Sequence, residues 1–245
     1  MRLQRNMLLM LVLALLCGGM FTGCFDERHS LTDPTVSEED PFDEADSIYL
    51  KGAGNAVRIV AVGDSITCGY GSNVGGYPTL LRKMLRRAGY NVIVENQGVP
   101  GEKTPWTYQR FPSAISGADI VLLMIGVNDI VNPSRCPDSR CRTSYHIGLM
   151  LDIALRSGVT PLVSTVTPAK SRSSYVKYNP EIKELNSKIS REASKRGVIL
   201  VDNYRTIYAN GGDSLFVDRL HFNDRGYKAI ASAWYKALTR NKVIR

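Results

Sequence analysis

The chain has 245 residues, 44% of them hydrophobic and 22% charged, with a formal net charge of +8. That length fits one domain plus extensions, the apolar content excludes wholesale disorder, and only the first segment is apolar enough for a membrane, which excludes a polytopic protein. The charge is uneven: residues 25–51 hold nine Asp/Glu against Arg28 and Lys51, leaving 27 basic and 14 acidic residues in 52–245. Those cations are scattered along the sequence. A solvated basic surface is therefore expected, with no nucleic-acid partner, while anionic lipid or acidic polysaccharide stays open.

Residues 1–6 are short and basic, 7–16 almost wholly apolar, and 17–24 small. This is the order of a secretory signal, and the apolar part is too short for a comfortable spanning helix. Phe21-Thr22-Gly23-Cys24 resembles a bacterial lipobox with a loose first position. The resemblance implies cleavage before Cys24, lipidation of its thiol, and membrane anchoring in the cell envelope. Residues 25–55 are acidic, with little apolar content and no sustained period, and read as a disordered tether.

From residue 56 the pattern is regular. Runs at 57–62, 91–95, 119–125, 161–165 and 198–201 are rich in Val and Ile without alternation. Such runs suit strands buried on both faces of a parallel sheet. Between them, apolar residues recur at helical spacing: Leu80, Leu81, Met84, Leu85 and Ala88; Ile147, Met150, Leu151, Ala154 and Leu155; Ile182, Leu185, Ile189 and Ala193; Tyr227, Ile230, Ala231, Trp234 and Leu238. The third stripe opens with Asn179-Pro180, a cap and first-turn pair. All four stripes are expected to face the core. Strands alternating with helices predict right-handed crossovers and a sheet covered on both sides. Ligands then bind beyond the carboxyl ends of the strands.

The segments that follow the strands are unusually rich in chemistry. After the first comes Gly63-Asp64-Ser65, where a strand-to-helix turn can lift a hydroxyl above the sheet. After the second comes Asn96-Gln97-Gly98-Val99-Pro100-Gly101, and after the third Gly126-Val127-Asn128-Asp129. Asp218-Arg219-Leu220-His221 precedes the last helix. A nucleophile, backbone and amide donors, and an Asp/His pair are the parts that acyl transfer needs. Each has a plainer alternative: Ser65 as a helix cap, Gly98 and Gly101 as turn glycines, Asp129 as a cap, His221 as a surface histidine.

The four blocks, in this order, resemble those of the SGNH hydrolase superfamily, the GDSL-type esterases. The resemblance spans about residues 57–240 and implies a three-layer α/β/α sandwich of flavodoxin-like type with a five-stranded parallel sheet. It implies Ser65 as nucleophile, His221 as general base and acid, and Asp218 as its orienting carboxylate. The oxyanion hole it implies consists of the backbone N–H groups of Ser65 and Gly101 and the side-chain amide of Asn128. Gly98 and Asp129 are expected to be structural. The literal Gly212-Asp213-Ser214-Leu215 follows a polar loop and not a buried strand, so Ser214 is expected to be noncatalytic.

Cys136 and Cys141 lie in an insertion after Asn128, and a short-loop disulfide is expected there in an oxidising compartment. The rival is a metal site with His146, although zinc wants four ligands and closer Cys pairs. Cys68 is expected to be a buried thiol, and Gly69 to Gly76 a flexible rim. Trp106 is a candidate substrate contact.

These readings divide the chain into a lipoprotein-type signal (1–24), a tether (25–55) and a hydrolase domain (56–245). The expected activity is that of a serine esterase without metal or organic cofactor, acting on short acyl esters, acetyl above all, of carbohydrate or cell-wall polymer. Lysophospholipase or acyl-thioesterase activity is the same-class alternative, and a non-catalytic envelope binding module the alternative of another class. The sequence does not fix the oligomeric state.

Overall fold

Five β-branched runs become five strands of one parallel sheet. The computed structural model describes residues 56–133, 136 and 141–245. The signal, the Cys24 lipidation and the tether lie outside the described residues.

In chain order the strands are β1 (Val57–Gly63), β2 (Val92–Gly98), β3 (Ile120–Met124), β4 (Thr160–Ser164) and β5 (Ile199–Val201). Their order in the sheet is β2-β1-β3-β4-β5, and every pairing is parallel. The helices are α1 (Ser65–Cys68), α2 (Gly76–Arg87), α3 (Thr104–Ala114), α4 (Val127–Val131), α5 (Thr143–Arg156), α6 (Asn179–Lys195), α7 (Asn203–Ala209) and α8 (Asp224–Arg240). Helices α2 and α8 pack together on one side of the sheet, with α3, α5 and α6 packed in series on the other. The result is the three-layer α/β/α arrangement that the alternation predicts.

The core follows the strand composition. All five residues of β3 and the last five of β1 are buried. Trp234 and Tyr77 stack between α8 and α2, ring centroids 6.3 Å apart. The helical stripes face inward with two exceptions: Ala88 closes α2 at an exposed position, and Leu155 is 46% exposed. Leu155 sits in the last turn of α5, one residue beyond the buried Ala154. Asn179 does not cap α6. Its buried amide instead exchanges two hydrogen bonds with the backbone of Ala169, at 2.9 and 3.0 Å.

Register decides where the functional segments meet. Gly63, the last residue of β1, pairs with Gly98 of β2 and with Met124 of β3. Three adjacent strands therefore end at one level, and the segments carrying Ser65, Gly101 and Asn128 leave from the same edge.

Candidate active site

The β1–α1 turn presents Ser65 in the first turn of a short helix. The cap is Asp64, whose carboxylate accepts the Ile66 N–H at 2.9 Å. Ser65 is thus released from capping. As the first helical residue, its own N–H has no intrahelical partner. Asp64 is 2% exposed, and burial pushes its carboxyl up to about 7, assisted by the negative charges of Asp129 and Glu102.

His221 arrives from the loop before α8, 156 residues later, and its Nε2 lies 2.9 Å from Ser65 Oγ. Its Nδ1 lies 2.7 Å from Asp218 Oδ2. The other Asp218 oxygen accepts the backbone N–H groups of Leu220 and His221, both at 2.7 Å. Burial alone would raise the Asp218 carboxyl, but the His221 backbone N–H, the imidazole and the Leu220 N–H outweigh it. The net position is below the ordinary carboxylate range, so Asp218 is an anion at neutral pH. It accepts Nδ1–H and leaves Nε2 to accept the Ser65 hydroxyl proton.

The second and third segments are locked against this turn. A Cβ on Gly98 would lie 2.2 Å from Cys68 N and 2.7 Å from Thr67 C, so only glycine lets β2 end against α1. The Gly98 N–H is spent on Asn96 Oδ1 at 3.0 Å. Gly101 differs: its φ is +76°, and the space where a Cβ would stand is open. The loop between them is held by Arg110, which donates to both carboxylate oxygens of Glu102 at 2.6–3.0 Å and to the Gln97 carbonyl at 2.9 Å. Asn128 donates one amide hydrogen to the Glu102 carbonyl at 3.0 Å, which leaves the second to a ligand.

Asp129 lies beneath. It is not a helix cap, since Gly126 occupies that position in α4. Its buried carboxylate accepts from the Thr104 N–H and hydroxyl and from the Thr143 hydroxyl. Burial raises its carboxyl above the ordinary range, and those hydroxyls and nearby Lys103 oppose the rise. Lys103 is itself buried and donates to the Asn132 carbonyl.

The remaining candidates fall around this centre. Trp106 stands 38% exposed in the first turn of α3, with Lys103 Nζ 5.8 Å from its ring. Cys136 and Cys141 are joined in a disulfide, Cα atoms 4.9 Å apart. His146 lies on α5, with Nδ1 2.8 Å from the Cys141 carbonyl oxygen. Cys68, expected to be buried, is half-buried at the end of α1. The glycine rim is a built loop, with Ser72 Oγ and Asn73 N both donating to Asp224 at 2.7 and 3.0 Å. Ser214 lies in a 3-10 turn, and its hydroxyl donates to Gly211 O. Sequence reasoning missed the Arg110–Glu102 clamp, because two charges eight residues apart give no periodic signal.

The arrangement can activate a hydroxyl and relay its proton through an imidazole, with the Gly101 and Asn128 segments leaving the same sheet edge beside it. A model of the GDSL-like Lipase/Acylhydrolase family matches residues 61–229. No curated protein matches the chain. Among solved structures, the chain is similar to a lipase/acylhydrolase from Enterococcus faecalis, at 24% identity and a TM-score of 0.65, over 76% of this chain and 96% of that one. It is also similar to an acetyl xylan esterase, at 22% and 0.64, over 74% of this chain and all of that one. An acetylxylan esterase from Geobacillus stearothermophilus superposes at 16% identity and 0.64, over 74% of this chain and 94% of that one. At these identities the likeness speaks for the fold.

Proposed function

The chain belongs to the GDSL-like lipase/acylhydrolase family and is a carboxylic ester hydrolase; from that premise we propose that Ser65 is its nucleophile and that it removes short acyl groups, acetyl above all, from carbohydrate or cell-wall polymer in the cell envelope. One observation carries the assignment of roles: the continuous Ser65–His221–Asp218 relay, at 2.9 and 2.7 Å.

In this reading Ser65 Oγ attacks the ester carbonyl while Nε2 takes its proton. The oxyanion settles among the Ser65 and Gly101 N–H groups and the Asn128 amide, each such donor worth about 2.7–4 kcal/mol in the transition state. The carbon–alkoxide bond breaks, and Nε2 returns the proton to the departing alcohol. Water then attacks the acyl-Ser65 by the same relay. Asp218 holds the imidazole and stabilises its cation.

Two features support a short acyl group on a bulky alcohol. Asp218 is 43% exposed, so the relay opens directly to solvent, where a polymer can reach it. Two of the similar structures are named as acetyl xylan esterases. The envelope location and the Cys24 anchor rest on the sequence of residues 1–24.

The test compares wild type with Ser65→Ala. Fluorophosphonate labelling and p-nitrophenyl acetate turnover should disappear together in the variant. Acetylated xylan should outrun lysophospholipid and acyl-thioester for the wild type, and the reverse ranking makes it a lipid esterase or thioesterase. A folded wild type that neither labels nor turns over would leave a binding module. Loss of membrane fractionation in Cys24→Ala tests the anchor.

A further inference from the structure

Beside the base stands an aromatic ring that the relay does not use. Tyr70 is 53% exposed, yet its backbone is fixed at both ends. Its N–H donates to Ser65 O at 3.0 Å, and its carbonyl accepts the hydroxyl of Tyr227 at 2.7 Å. Its ring centroid lies 4.5 Å from that of His221, at 46°. Val217, next to Asp218, is 50% exposed. The two segments touch, because a Cβ on Gly71 would lie 2.7 Å from Val217 Cγ2. Tyr70 and Val217 thus set two exposed apolar side chains on adjoining segments beside a polar centre, the mix of surfaces from which ligand subsites are built.

We propose that Tyr70, with Val217, forms the leaving-group subsite of the Ser65 centre, and that it takes a cyclic alcohol presenting an apolar face, such as a pyranose or an aryl alcohol. The inference rests on the esterase reading above and names its alcohol half. In acylation the Ser65 Oγ–carbon bond forms and the carbon–alkoxide bond breaks. The proton passes from Oγ to Nε2 and on to the alkoxide, so that oxygen must stand within hydrogen-bond reach of Nε2. The remainder of the alcohol extends over whatever flanks the imidazole, and here that is the Tyr70 ring. The acyl group stays on Ser65 after the alcohol has left and has no need of this surface.

This division gives a kinetic signature. Every acetate ester yields the same acetyl-Ser65, so an alcohol subsite affects acylation only. A residue that merely buttresses His221 affects both half-reactions, and all esters equally.

The experiment measures Tyr70→Ala and Tyr70→Phe on methyl, cyclohexyl and phenyl acetate and on acetylated xylotriose. It also measures breakdown of the acetyl-enzyme after a p-nitrophenyl acetate burst. Expected for Tyr70→Ala is a loss of about tenfold in kcat/KM on the cyclic esters. Methyl acetate and acetyl-enzyme breakdown should stay at the wild-type rate, and Tyr70→Phe should restore the cyclic esters. An equal loss on all esters together with slowed breakdown would overturn the subsite and leave Tyr70 as a support for His221. No loss on any ester would overturn it outright. Turnover surviving in Ser65→Ala would instead strike the underlying esterase reading, a separate outcome.

Discussion

The carboxylate of Asp129 and the start of helix α3 are joined at one residue: Asp129 accepts both the N–H and the hydroxyl of Thr104, at 3.2 and 2.5 Å. Thr104 stands three residues beyond Gly101, and Asp129 one beyond Asn128. Gly101 and Asn128, the two proposed oxyanion donors that leave the sheet on different strands, are thereby tied to each other. Asp129→Ala strands a buried N–H and two hydroxyls, at about 1–3 kcal/mol for each buried group left unsatisfied. It should lower the melting temperature and reduce kcat by about a hundredfold through misplaced donors. Calorimetry and steady-state kinetics on the same preparation check both.

Asn128→Ala removes one proposed oxyanion donor and one bond to the Glu102 carbonyl. A kcat loss on the order of 10²–10³-fold is expected, with KM little changed. A loss confined to KM would show that the amide binds ground state and transition state alike.

Asp64 makes stability depend on pH in the unusual direction. Its folded carboxyl sits at about 7, above its unfolded value. The folded state therefore binds the extra proton, and stability from this group is complete below the ordinary carboxylate range and lost as pH rises to about 7. Asp64→Asn keeps a cap acceptor and removes the titration. The wild type should lose melting temperature relative to the variant between pH 4.5 and pH 8, as read by differential scanning fluorimetry.

Asp218 has the opposite sign. Its folded carboxyl lies below the ordinary range. Its contribution is present above about pH 4 and is lost as the pH falls through the folded value. Asp218→Asn should abolish that acid-side loss. At pH 7 the same change should lower kcat on the order of 10⁴-fold, by turning the imidazole to the wrong tautomer.

Two glycines three residues apart should respond differently to alanine. Gly98→Ala drives a methyl into the backbone of α1 and should prevent folding at 37 °C. Gly101→Ala meets open space and carries only the strain of a left-handed backbone, about 1–2 kcal/mol. Circular dichroism of the two variants separates close packing from a turn requirement.

The five strands could be read from the chain because buried parallel strands are written as continuous β-branched runs, as at Ile120–Met124. Helices α2, α5, α6 and α8 showed as stripes. Helix α3 gave no such signal: it holds Pro105 and Pro112 and buries only Thr104, Pro105, Thr107 and Phe111. The short α1, α4 and α7 lack the two turns that a period needs. At the site, Ser65 and Asn128 stood out by their place after strands, and Asp218 and His221 by their spacing just before the last helix. Their supports did not. The buried Lys103 and the Thr104–Asp129 bond depend on which side chains the fold turns inward, and no local spacing records that.

Ser65 and His221 stand 156 residues apart in sequence and 2.9 Å apart in space. During synthesis the hydroxyl therefore emerges long before the imidazole proposed to activate it. In the proposed mechanism Ser65 has no base until His221 has been made and the segment before α8 has reached it. A chain cut short before His221 would keep most of the described core residues and lack the proposed base, so in the proposed mechanism activity itself reports that synthesis has passed His221.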